Sequence, residues 1–106
     1  MINQSELSAL ERSALVHLYE VIDPEIGLNI VDLGLVYGFS IQEEKKSIQV
    51  TMTLTTQFCP MGVSIVGSVE ETLREYFPDH DVAVELVYEP RWEANMISPK
   101  GKAFLG

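Results

Sequence analysis

The side chain with the most chemistry to offer is Cys59, the only cysteine of the 106 residues, set in the stretch TTQFCPMG at positions 55–62. A thiolate is a nucleophile and a soft-metal ligand, and it is favoured where the N–H groups of a helix end face the sulfur. Pro60 suits the first turn of a helix, because its fixed φ is helical and its missing N–H would have had no intrahelical partner. The spacing therefore sets Cys59 where a strand ends and a helix begins, beside unsatisfied N–H groups and the positive end of the helix dipole. Thr55 and Thr56, at the strand end, add hydroxyls that can hydrogen-bond there. The plainer reading makes Cys59 a small buried hydrophobe between Phe58 and Met61.

A second stretch, DPEIGLNIVDLGLVYG at positions 23–38, carries the carboxylates Asp23, Glu25 and Asp32. Near a thiolate they could complete a metal site or orient a partner. Turn chemistry is the competing account: Asp before Pro is common in turns, Gly27 allows a left-handed bend, and Asp32 reads as the outward residue of a strand. His17 and His80 have no metal-ligand spacing and read as surface or partly buried imidazoles. There is no Walker or GxGxxG loop, no nucleophile elbow and no CxxC. Met52, Met61 and Met96 read as core fillers.

These residues need elements to position them. Leu7, Leu10, Ala14, Leu18, Val21 and Ile22 recur at helical intervals, so an amphipathic helix is expected from Ser5 to Ile22, with a capping box at Ser8 and Glu11 and a stop at Pro24. Alternation of Val31, Leu33, Leu35, Tyr37, Phe39 and Ile41 predicts a strand, and Ile48, Val50, Met52 and Leu54 predict its hairpin partner. A second helix is expected from about Pro60 to Tyr76, with Val63, Val66, Val69, Leu73 and Tyr76 or Phe77 inward; Gly62 and Gly67 suggest close packing there. Alternation of Val82, Val84, Leu86 and Tyr88 predicts a third strand. The tail EPRWEANMISPKGKAFLG lacks a clear period and reads as a packed loop with one helical turn.

The order is α-β-β-α-β, an α+β fold in two layers with two helices on one face of a three-stranded sheet. A right-handed return directs the third strand along the second, while its neighbour in the sheet stays open. At this length, with 46% hydrophobic residues, one domain over positions 1–106 is expected. A net charge of −9 makes nucleic acid and anionic membrane poor partners. The N-terminus has no basic region followed by an apolar run, and an unpaired thiol fits a reducing compartment, so a cytoplasmic location is expected.

In order and spacing, DPEIGLNIVDLGLVYG, VTMTLTTQFCPMG, ELVYEPRWEANMIS and a closing LG resemble the metal-sulfur cluster assembly factor family. That family takes in SufT-like proteins, the PaaD subunit of phenylacetate degradation and a eukaryotic branch in cytosolic iron-sulfur cluster targeting. The resemblance implies a domain related to iron-sulfur scaffolds, used to mature or deliver clusters rather than to catalyse turnover. Its motif residues fall on Asp23, Pro24 and Glu25, on Thr55 and Thr56, and on Cys59 and Pro60, with Cys59 the metal-touching residue. It further implies the assembly machinery and apo-client proteins as partners, with a homodimer open. One sulfur cannot hold a cluster that usually takes about four thiolates, so no tightly bound cofactor is expected, only a transient cluster or iron.

The tail departs from the family pattern. Glu89, Pro90, Arg91 and Trp92 stand where Asp-Pro-Pro-Trp is frequent, and Glu93 and Asn95 stand where Thr and Asp are common, leaving Trp92 as a candidate partner contact. PaaD-like relatives often carry a cysteine-rich C-terminal segment, which this sequence lacks, and that favours the SufT-like branch. The alternative is an adaptor without metal, PaaD-like or docking, in which Cys59 is structural. An enzyme with Cys59 as nucleophile is disfavoured, since no His lies beside it in sequence.

Overall fold

The computed structural model describes residues 7–55 and 62–106. The first helix, α1, spans Ala9–Leu18 and starts at the expected capping box: Glu11 N–H donates to the Ser8 hydroxyl at 3.2 Å, and Ser8 N–H donates to the Glu11 carboxylate at 2.9 Å. It buries Ala14, Leu15 and Leu18. It stops four residues before the expected Ile22, because Val21 O accepts Ile30 N–H at 3.0 Å and Ile22 bridges to Asn29, which takes these residues into an extended pairing.

Strand β1 spans Val36–Gln42 and pairs antiparallel with β2, Ser47–Met52. The expected strand over residues 31–35 is not there. Asn29 accepts the Asp32 N–H on its side chain at 2.8 Å and so caps a single helical turn. Gly34, at φ +82°, closes that turn: its N–H donates to Val31 O and that of Leu35 donates to Ile30 O, both at 3.0 Å. This is a Schellman ending, with Ile30 and Leu35 both buried. The alternating pattern of Val31, Leu33 and Leu35 arises from a helical turn that happens to bury Leu33 and Leu35.

Helix α2 spans Gly62–Tyr76 and returns the chain to β3, Asp81–Leu86, which pairs parallel with β2. The sheet order is β1-β2-β3, so the third strand runs as expected and its neighbour is the second strand. Register puts Phe39, Ile41, Ile48, Val50, Met52, Val82 and Val84 on the core face. Small or polar residues such as Ser40, Gln49, Thr51 and Glu85 occupy the other face. Helix α2 packs on β3 and α1 packs on α2. The inward stripe of α2 is Ile65, Val69 and Leu73, spaced by four; Val63, expected inward, is 87% exposed, and Val66 is half-buried. A Cβ at Gly67 would meet nothing within 4 Å, so that glycine marks no close packing.

The tail is more regular than expected. A 3-10 turn at Ala94–Met96 leads to helix α3, Pro99–Leu105, which is capped by the Ser98 hydroxyl accepting the Gly101 N–H at 2.9 Å. Ser-Pro at the cap and first helical position is the sequence signal for it.

Candidate functional site

Asp23 is 1% exposed, and its carboxylate is turned inward on its own loop. Oδ1 accepts the N–H groups of Glu25 at 2.9 Å and Ile26 at 3.3 Å, while the Asp23 carbonyl accepts Gly27 N–H at 2.7 Å. Gly27 takes φ +83° to complete the bend. Asp23 is thus the peg of the turn, and the exposed residues it presents are Pro24 and Glu25. Removing the peg with Asp23→Ala takes the side-chain acceptor from both N–H groups, leaving Ile26 N–H the Asp23 carbonyl at 3.3 Å, and we expect a loss of about 2 kcal/mol in urea unfolding. Asp23→Asn keeps an acceptor oxygen and should lose about 1 kcal/mol or less. Equal losses for the two variants would show that the hydrogen bonds are not what holds the turn.

A run of backbone hydrogen bonds carries this loop across to the end of β2. Ile30 N–H donates to Val21 O at 3.0 Å, Leu35 N–H to Ile30 O at 3.0 Å, and Thr53 N–H to Leu35 O at 2.9 Å. The DPE turn and Thr53 at the end of β2, separated in sequence by the whole β1-β2 hairpin, are therefore tied to one another through residues 28–35. Thr53 and Leu54 are buried and Thr55 is half-buried. Thr56, Cys59 and Pro60, with Phe58 and Met61, lie outside the described residues. Among the described residues no group of three or more His, Cys, Asp or Glu side chains could hold a metal ion.

The C-terminal segment is a strap over the same 28–37 region. Trp92 Nε1 donates to Leu33 O at 2.7 Å, and the Tyr37 hydroxyl donates to Pro90 O at 2.7 Å. Ser98 donates twice to Asp32, from its hydroxyl to Oδ1 at 2.8 Å and from its backbone to the carbonyl at 2.7 Å. Asn29 Nδ2 donates to the other carboxylate oxygen at 2.7 Å. Asp32, expected to face outward from a strand, is instead 6% exposed and joins loop to strap, because it sits in the capped turn rather than in β1. Trp92 is half-buried with its indole N–H committed internally. Asn29, Tyr37 and Ser98 are site-building residues that sequence reasoning misses; the N-x-x-D spacing before Gly34 is the available signal.

The two histidines fall at the other end of α2. His17 stacks on Tyr76 with ring centroids 3.6 Å apart and lies 3.7 Å from Glu20. Phe77 meets His17 and His80 edge-on. A hydrogen bond to the Glu20 carboxylate pushes the Tyr76 phenol above its ordinary value of 10.0, with burial and the charges of Glu20 and Glu75 adding to it. Burial chiefly raises Tyr37 too, Glu89 adding to the rise and a hydrogen bond from Thr53 opposing it. Because both phenols hold their protons more tightly when folded, their contribution is complete below about pH 10 and is lost as pH rises through the raised values. Stability should therefore be flat in this respect up to about pH 10 and fall above it, with phenolate absorbance lagging that of the unfolded chain. Phenolate absorbance that rises with the unfolded profile would contradict this.

Comparison with known proteins places this geometry in a class. The model of the iron-sulfur cluster assembly protein family matches residues 11–86. The chain is 43% identical over 86 residues to the Fe-S protein maturation auxiliary factor SufT of Staphylococcus aureus, covering 81% of this chain and 97% of that one. It is 37% identical over 98 residues to the Fe-S protein maturation auxiliary factor YitW of Bacillus subtilis, covering 92% and 95%. A crystal structure of a domain of unknown function from Bacillus anthracis superposes with a TM-score of 0.89 at 36% identity, covering 98% of each chain. The chain belongs to the iron-sulfur cluster assembly protein family. It is SufT-like in sequence and α+β in fold. No helix among the described residues is long and apolar enough to cross a membrane.

Proposed function

We propose that this protein is a maturation factor for iron-sulfur proteins that receives and hands on a labile cluster or iron through Cys59. The relatives' names, as auxiliary maturation factors, support a role without turnover chemistry. The observation that supports the reading is the hydrogen-bonded tie between the DPE turn and the end of β2 at Thr53, the point from which the chain enters the second motif stretch. The cluster is cargo. One thiolate per chain leaves about three ligand positions to be filled from elsewhere, so the cluster bridges two copies of the chain, or the chain and a partner. The partners are the assembly machinery and apo-clients in the cytoplasm, and Glu25, exposed beside Pro24, belongs to the docking face.

The test is Cys59→Ser in cells lacking the endogenous gene, read by the activity of an iron-sulfur enzyme. We expect activity to fall by at least about tenfold while the melting temperature stays within about 3 °C, since Ser keeps the shape and loses the soft ligand. The purified protein should be colourless, and after anaerobic reconstitution any iron should elute with a species larger than the monomer and be lost in Cys59→Ser. Full complementation by Cys59→Ser would replace this reading with the adaptor one, and a cluster held tightly by the monomer would overturn the bridging arrangement.

A further inference from the structure

Strand β3 is an edge of the sheet, and the hydrogen bonds at its two ends show which way its backbone faces. Asp81 N–H donates to Lys46 O at 2.8 Å and Val87 N–H donates to Met52 O at 2.9 Å, so in the parallel register the odd-numbered residues of β3 bond to β2. The N–H and C=O groups of Val82, Val84 and Leu86 therefore point away from the sheet. Val82 O is covered: Arg74, held to Glu70 at 3.1 Å, donates to it at 3.4 Å. Among the described residues no hydrogen bond meets the outward groups of Val84 and Leu86. Leu86 is 38% exposed on the core face, beside half-buried Val84. On the other face of the same strand stand Asp81, Ala83 and Glu85, all exposed. Within residues 70–85 the sequence has six carboxylates and, of Lys and Arg, Arg74 alone.

We infer that the β3 edge is a docking site for an extended segment of a partner protein in which apolar residues alternate with lysine or arginine. An edge strand with unpaired donors and acceptors takes on a further strand through main-chain bonds, and successive side chains of the added strand fall on opposite faces. One set lies over Val84 and Leu86 and is apolar; the other lies over Asp81 and Glu85 and is basic. Arg74 closes the start of the edge at Val82 O, which confines the added ladder to the half at Val84 and Leu86. A second copy of this chain fits poorly, since each copy brings the same carboxylates to the join and carries a net charge of −9. The inference does not rest on the reading of Cys59, because it uses no atom of that residue.

The experiment titrates the peptide acetyl-Lys-Val-Lys-Val-Lys-Val-Lys-amide into the full-length protein. Wild type should bind it at least about tenfold more tightly than a peptide of the same composition with its lysines and valines in separate blocks, and Asp81→Lys combined with Glu85→Lys should weaken binding by at least about tenfold. The N–H groups of Val84 and Leu86 should gain protection from exchange on binding, while those of β1, at the opposite edge, should not. N-methylation of the peptide separates strand addition from charge attraction. An antiparallel strand bonds through the residues opposite Val84 and Leu86, and a parallel one through their neighbours. Methylating one alternate set of peptide nitrogens should therefore abolish binding, and methylating the other should leave it within about twofold. Equal affinity for the blocked peptide, equal effects of the two methylated sets, or no binding at about 1 mM would each overturn the inference. So would a protein that sediments as a dimer with Val84 and Leu86 protected before any peptide is added, which would make a second copy the occupant. If the double variant does not fold, the methylated peptides on wild type still decide it.

Discussion

Gly34→Ala is expected to lower stability by about 3–4 kcal/mol and the melting temperature by about 15 °C. Two separate effects add. Gly34 holds φ +82°, a left-handed conformation that an L side chain adopts at a cost of about 1–2 kcal/mol. A Cβ there would also stand against the backbone of Met96, 2.9 Å from its carbonyl carbon and 3.0 Å from its Cβ. Those are not the ends of a flexible side chain, so the strap itself must move. The strap is pinned on both sides of Met96, by Trp92 on Leu33 O and by Ser98 on Asp32, and displacing it weakens bonds worth about 1 kcal/mol each. Gly27→Ala separates the two effects. Gly27 has φ +83°, but a methyl group there would meet nothing within 4 Å, so only the conformational cost of about 1–2 kcal/mol applies. Equal losses for the two alanine variants, in urea or thermal unfolding, would mean that the close approach to Met96 carries no energy.

How much of the fold is legible in the sequence depends on how local each signal is. The Ser8–Glu11 box and the alternation of Ile48, Val50 and Met52 concern neighbours three or two residues apart, and the fold keeps both. Residues 31–35 mislead because alternating apolar residues fit both a strand and a single capped turn that packs Leu33 and Leu35 inward; the capping atoms of Asn29 and the burial of Asp32 tell the two apart. The expected inward residues Val69 and Leu73 of α2 are buried, but a spacing of three before them points to Val63 and Val66, whereas the fold buries Ile65. The candidate site divides in the same way. Asp23, Pro24 and Glu25 are visible as a turn, but that Asp23 points in and Glu25 is exposed depends on the loop's hydrogen bonds. The strap is a long-range feature, carried by pairs such as Asp32 with Ser98 and Tyr37 with Pro90, and no periodicity announces such pairs.

Asp32→Ala is expected to cost about 3 kcal/mol, although a carboxylate in an acidic chain is an unpromising place to look for stability. The carboxylate is 6% exposed and accepts from Asn29 Nδ2 on one oxygen and from the Ser98 hydroxyl on the other. Its removal leaves two part-buried donors facing an apolar methyl, and an orphaned donor costs about 1–3 kcal/mol. The loss should not spread evenly. The backbone bond from Ser98 N–H to Asp32 O survives the substitution, and so does the Asn29 cap on Asp32 N–H, so the turn at 29–34 should persist while the strap loosens around Ser98. Amide hydrogen exchange distinguishes this from global weakening: Gly101 N–H, held by the Ser98 hydroxyl, and Lys102 N–H, held by Ser98 O, should lose protection before the N–H groups of β2 do. Asp32→Asn keeps the volume and one acceptor oxygen, and its amide can donate to the Ser98 hydroxyl in place of receiving from it, so about half the loss should return. If strap and β2 amides in Asp32→Ala open together at the free energy of global unfolding, Asp32 is an ordinary core support and the strap has no separate stability.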